Sequence, residues 1–253
     1  MIREVSRKEY VERKPLMGFS VGIVMFLTAM IPFVFAYSLQ HALKAATLGN
    51  DTAILVLRNF RSYQLFIESQ WIARNLSRIL CLLALLGGAS AVAGERERRT
   101  LALLYTSSVS LRSLVVVKFG LISVWLFLVA FASSAVLATH SFVAKLPFPV
   151  ADVSIASLIA WTNALAFLGV VFAASAFAKR TIFAALFGLV AGFAVAALLT
   201  FAGLNGTALA TNIFGVDGRV IWSNAVLDLV VSLAIMALGL GATLVEVSRR
   251  RAT

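Results

Sequence analysis

Long unbroken apolar runs constrain this chain more than any other feature. A helix needs about 20 consecutive, mostly apolar residues to cross the hydrocarbon of a bilayer. Five stretches have that length: 16–39, 114–138, 153–178, 181–203 and 220–245. A sixth, 71–94, is free of charge only from residue 79 onward. It spans if Arg74 and Arg78 reach back to the headgroups. The expectation is an all-α integral membrane protein with six transmembrane helices, forming one domain over residues 1–253.

The composition excludes the other classes. Hydrophobic residues make up 61% of the chain and charged residues only 13%, against roughly 25% charged in soluble domains. A water-facing globule cannot be covered with so little polar surface, and disorder requires low hydrophobicity. Outer-membrane barrels alternate polar and apolar residues in segments of about ten, which is not the pattern here.

The net charge of +11 is explained by where the basic residues fall. With both termini inside, the inner segments carry fifteen of the 22 Lys and Arg residues. Among these are Arg3, Arg7, Lys8, Arg96, Arg98, Arg99, Lys179, Arg180 and Arg249. An excess of Lys and Arg on short cytoplasmic loops orients a membrane protein, so the chain is expected in the cell (inner) membrane with both termini cytoplasmic. No cleavable signal is expected, because the first apolar stretch is too long for one. The basic charge serves the membrane surface rather than nucleic acid.

Several segments carry secondary signals. Residues 2–14 mix charges with Ile2, Val5, Tyr10 and Val11, as an interfacial helix would. Leu57, Phe60, Gln64, Ile67 and Trp71 recur at helical spacing and predict an amphipathic helix on the outer leaflet. The Gly-rich loop 204–219 is expected to dip back toward the membrane. Ala184, Gly188, Gly192 and Ala196, like Gly18 and Gly22, form small-residue stripes that suit close packing inside the bundle more than a dimer seam. Trp71, Trp161 and Trp222 read as anchors at outer helix ends.

The chain lacks the motifs of the common enzyme classes. It has no Gly-rich loop ending in Lys-Ser/Thr, no His-Glu-x-x-His and no Gly-x-Ser-x-Gly. His41, His140 and Cys81 stand apart in sequence, so no metal site is expected. Asp228 is the one acid well inside a span. Intramembrane carboxylates face a partner or a water-filled cavity, which makes Asp228 a candidate for a substrate pathway. An outer-interface position is the plainer alternative. Asn163 is a second candidate, with a helix–helix hydrogen bond as its plainer role.

The most informative stretch lies between the second and third spans. It runs Val92-Ala93-Gly94-Glu95-Arg96-Glu97-Arg98-Arg99-Thr100-Leu101-Ala102-Leu103-Leu104-Tyr105-Thr106-Ser107-Ser108-Val109-Ser110 and continues to Lys118 and Phe119. A charged knot precedes a short apolar helix, and Ser110 is placed to cap the next span. A plain basic loop has no need of two interleaved acids, whereas mixed signs suit a surface that docks another protein.

This stretch resembles the ABC-2 type permease family, the membrane subunits of ATP-binding-cassette exporters. The resemblance rests on Gly94-Glu95-Arg96-Glu97-Arg98-x-Thr100-Leu101-x-Leu103-Leu104, then Ser107-x-Val109-Ser110, then Lys118. Arg99, Leu111 and Ser113 depart from residues common in that family. The resemblance implies two paired permeases, a second copy or a paralogue, each docked on a separate ATP-binding subunit that holds ATP and Mg. It implies no cofactor in this chain and no enzyme activity of its own. It also implies a cytoplasmic coupling helix whose contacts are Glu95, Arg96, Glu97, Arg98, Thr100, Leu101 and Leu104, and an N-terminal elbow helix. The competing classes are a self-contained secondary transporter, which usually shows inverted repeats, and a membrane-embedded enzyme, which needs clustered catalytic groups.

Overall fold

The computed structural model describes residues 2–47, 63–97, 110–145, 150–201 and 222–249. These residues are helical apart from short turns, and no strand occurs among them. The elements are α1 (Ile2–Thr47), α2 (Tyr63–Phe66), a π-helical segment (Ile67–Leu76), α3 (Ser77–Ala89) and α4 (Ala93–Glu97). They continue with α5 (Leu111–Val143), α6 (Val150–Phe177), α7 (Thr181–Phe201) and α8 (Trp222–Arg249).

Six of the helical stretches are long and apolar enough to cross a membrane. They are Met17–Lys44, Ser77–Glu97, Leu111–Val143, Val150–Phe177, Thr181–Leu199 and Trp222–Arg249, close to the six read from sequence. The third starts as its sequence predicts. Ser110 is in extended conformation and its hydroxyl accepts the Ser113 amide at 3.1 Å. Ser113, in place of an acid, closes the cap with its own hydroxyl 2.7 Å from that of Ser110.

The bundle is built around α6. In its most apolar window 78% of residues are buried, against 22%, 17% and 22% for α1, α7 and α8. It packs on α3, α5, α7 and α8, while the other three present Phe19, Phe26, Val190 and Leu238 outward. Apolar surface gains nothing by turning from lipid to protein. Close backbone approach and interhelical hydrogen bonds must therefore hold such a bundle.

Both devices are present. Gly239 of α8 lies directly on the backbone of Gly169, and a Cβ on Gly169 would come within 2.9 Å of the Met236 carbonyl oxygen. Gly188 and Gly192 of α7 seat Val171 and Phe167 of α6. The α7 stripe therefore packs inside the bundle. Gly18 and Gly22 face open space. Hydroxyl pairs tie the helices: Thr28 to Ser133 at 3.1 Å and Ser134 to Ser157 at 2.5 Å. Indole N–H groups add Trp71 to Ser133 at 2.8 Å and Trp125 to Ser20 at 3.0 Å.

The structure corrects several sequence expectations. The N-terminal segment is helical, yet it continues without interruption into the first span despite Pro15 and Pro32. At 1.5 Å per residue, α1 is about 69 Å long, over twice the hydrocarbon thickness of about 30 Å, so a large part of it lies outside the hydrocarbon. Ile67 and Trp71 do share a face, but they are buried in the protein core rather than lying on the outer leaflet. The helical run begins at Tyr63, ahead of the expected start at residue 71. Trp71 is an interior hydrogen-bond donor, not an interfacial anchor. Trp161 lies well within α6 and donates to the Ser123 carbonyl at 2.9 Å. The loop 204–219 and residues 57 and 60 lie outside the described residues.

The Gly169–Gly239 contact generates a prediction. Gly239→Ala drives a methyl into backbone, so α6 and α8 must separate, at a cost of about 1–3 kcal/mol. In detergent its melting temperature should fall by several degrees, whereas Gly18→Ala, facing open space, should leave it unchanged.

Candidate coupling site

The second span ends in a turn rather than running straight out. Gly88 allows α3 to lie against Val171 and Leu168, since a Cβ there would fall 2.9 Å from Val171. Ser90 ends α3, and the chain turns through residues 90–92 into α4. One side chain from α6 fastens this turn. The Ser175 hydroxyl accepts the amides of Val92 at 3.0 Å and Ala93 at 2.9 Å, and donates to the Ala89 carbonyl at 2.9 Å. A hydroxyl offers one donor and two acceptor positions, and Ser175 uses all three. It satisfies amides that the start of α4 leaves unbonded.

The next turn carries the charged knot. Successive helical residues point about 100° apart, so three neighbours can reach three different helices. Glu95 reaches Lys118 of α5, with its carboxylate 2.6 Å from the ammonium. Lys118 is only 2% exposed, and it also donates to the Ala91 carbonyl at 3.1 Å. Arg96 turns to the end of α6, donating to the carbonyls of Ala176 and Ala178, both at 2.7 Å. A cation on the final carbonyls satisfies orphan acceptors and complements the helix dipole. Glu97 accepts from the Thr181 amide at 3.2 Å and its hydroxyl at 2.8 Å, which places an anion at the first turn of α7. At the same end, Arg112 of α5 donates to Ser248 of α8 at 2.7 Å.

Of the seven coupling residues named from sequence, Glu95, Arg96 and Glu97 stand together in this clasp. Arg98, Thr100, Leu101 and Leu104 lie outside the described residues. Sequence reasoning missed Ser175, Lys118 and Thr181 as partners. Lys118 carried a signal: it was a lone cation a turn inside an apolar span, and such a charge needs a counter-charge. Ser175 and Thr181 carried none.

The other two candidates lie elsewhere, Asn163 on α6 and Asp228 on α8. Asp228 is 4% exposed and Asn163 is 1% exposed, so both are interior. Ser232, one helical turn beyond Asp228 on α8, donates to Asn163 Oδ1 at 2.5 Å. The Asn163 amide nitrogen has no hydrogen-bond partner among the described residues, and none of those residues bonds Asp228. Asn163 thus makes the helix–helix bond expected of it and keeps a spare donor. Among the described residues, no group of His, Cys, Asp and Glu could hold a metal ion. His140 faces the Tyr63 hydroxyl at 3.3 Å, and Cys81 is buried in the core.

Six helices long and apolar enough to cross a membrane, joined at one end by a charged clasp, describe a multi-pass membrane protein. The chain belongs to the ABC-2 family: the family model for an ABC-2 family transporter protein matches residues 7–215. Membrane subunits of that family are typically not enzymes themselves, and they associate with an ATP-binding-cassette subunit. No curated protein and no solved structure matches the chain.

The Lys118–Glu95 pair can be tested by a double-mutant cycle. Removing one partner of a buried ion pair costs about 3–5 kcal/mol. The lower end is expected for Glu95→Gln, because Glu95 is 18% exposed. Thermal unfolding should show Glu95→Gln and Lys118→Met each strongly destabilising. The double variant should be more stable than the sum of the two losses implies.

Proposed function

We propose that this chain is the transmembrane subunit of an ATP-driven exporter. Two permeases, identical or paralogous, pair in the cell membrane with both termini cytoplasmic, and each docks on a separate ATP-binding subunit that holds ATP and Mg. The observation that carries this reading is the clasp. The segment that would meet the ATPase is bonded, through three consecutive side chains, to the third, fourth and fifth spans. A displacement of that segment is therefore delivered to three helices at once.

The seven coupling residues divide under this proposal. Glu95, Arg96 and Glu97 act as positioning residues that transmit motion. Arg98 and Thr100 orient the ATPase, and Leu101 and Leu104 bury apolar area against it. The polarity of the basic segments supports the cytoplasmic placement. Asp228 and Asn163 line the substrate pathway, where the carboxylate and the spare amide donor face the α6–α8 seam.

Purification from native membranes in mild detergent, followed by mass spectrometry, tests the proposal. An ATP-binding-cassette subunit should accompany the permease at about one per chain, and Leu101→Asp with Leu104→Asp should abolish its recovery. A stable oligomer of this chain without any ATPase would overturn the exporter reading in favour of a secondary transporter.

The pathway assignment makes its own prediction. In proteoliposomes containing the complete complex, Asp228→Asn should cut transport at least tenfold while ATPase association stays intact. Unaltered transport would remove Asp228 from the pathway.

A further inference from the structure

A groove of about 540 Å³ opens on the side of the bundle between the second, fourth and fifth spans. Its walls are Cys81, Leu82 and Leu85 of α3, Phe167 of α6, and Leu189 and Phe193 of α7. Leu82 and Phe193 are more than half exposed, so the groove faces outward to the bilayer rather than into the core. One charged side chain joins this apolar lining: Arg78, itself exposed, at the start of the span and one turn from Cys81. Among the described residues, no acid lines the groove and no hydrogen bond or ion pair holds Arg78.

We propose that this groove binds an anionic phospholipid drawn from the bilayer. A guanidinium at the start of a span lies within reach of the headgroups, where lipid phosphates are its natural counter-charge. Its planar fork matches the oxygens of a phosphate in bidentate fashion. The rest of the lining asks for the opposite chemistry, a long apolar chain. The volume lies within the roughly 300–1,000 Å³ of ordinary ligand sites. At about 30 Å³ per water-sized group, it holds about 18 such groups, enough for one acyl chain. An anionic phospholipid offers the headgroup and the chain in one molecule, at the place where the groove opens. Zwitterionic lipids fit the walls equally well but bring a cation alongside the phosphate, which weakens their pairing with Arg78.

The site rests on the membrane-spanning fold and not on the exporter reading, and its test needs no ATPase. The protein is placed in nanodiscs of equal phosphatidylglycerol and phosphatidylcholine, released, and its retained lipids are counted by native mass spectrometry. The wild type should keep phosphatidylglycerol over phosphatidylcholine by about tenfold. Arg78→Gln should lose that preference at least fivefold, and Arg78→Lys should retain part of it. Leu82→Trp, which fills the groove, should lose retained lipid of both kinds. Arg78 and Leu82 are exposed, so all three variants should melt as the wild type does. Equal retention of the two lipids by the wild type would overturn the proposal, as would undiminished phosphatidylglycerol on Arg78→Gln. Crosslinking between two copies through a cysteine placed at the exposed Leu82 (Leu82→Cys) would instead show that a second copy fills the groove, and would overturn it too.

Discussion

The Ser175 hydroxyl fixes the place where the second span stops, and the clasp depends on it. A helix end inside or beside the hydrocarbon leaves amides and carbonyls that water cannot reach. Ser175 answers two amides and one carbonyl of the α3–α4 turn from a neighbouring helix. That turn sets the direction of α4. Glu95, Arg96 and Glu97 then point at α5, α6 and α7 because the turn has aimed them. Without it, the same three side chains would continue along the axis of α3 and the buried ammonium of Lys118 would lose its carboxylate.

The two regions of the bundle are held by different physics. At the clasp, charges meet complementary helix ends and one another, and these interactions survive because the surroundings are only partly dry. Along the spans there are few charges to use. Gly169 and Gly239 bring backbones together, and single hydroxyls of Ser133, Ser157 and Ser232 each bridge two helices. Interhelical hydrogen bonds of this kind contribute only about 0.6 kcal/mol each on average, so the seams can slide at moderate cost while the clasp stays intact. That arrangement suits the proposed exporter role: a stiff handle where force would enter and yielding contacts where a path would open.

Much of this was legible in the sequence, for a physical reason. The bilayer demands long apolar helices with internally satisfied backbones, so hydropathy alone located six spans. Local rules worked equally well, as at Ser110, where the cap forms within four residues of its own sequence. Interactions distant in sequence were illegible. Glu95 and Lys118 are 23 residues apart, and Glu97 and Thr181 are 84 apart. The mixed charges suggested a docking surface for another protein, and in the fold Glu95, Arg96 and Glu97 bond helices of this chain. Trp71 misled for a related reason: aromatic residues near a span end fit the interfacial belt on statistics, and only the position of Ser133 shows that this indole points inward.

Asp228 and Arg78 show how the same principle leads to opposite sites. Each is an ionisable group in a membrane-spanning helix without a counter-ion among the described residues. Asp228 is costly there unless it meets a partner or water, whereas Arg78, at the start of its span, lies within reach of lipid phosphates. Asp228 is buried, one turn along α8 from the Ser232 hydroxyl that bonds Asn163 across the α6–α8 seam. Arg78 lies at the edge of an apolar groove open to the side, where a lipid reaches it without any helix moving. The charged groups therefore divide the molecule by access. The seam at Asp228 lies within the protein and the groove at Arg78 opens to the side, and the clasp holds α6, which borders both. The groove is walled in part by α6 and α7, which the clasp holds through Arg96 and Glu97, so an occupant at Arg78 senses any movement of those helices.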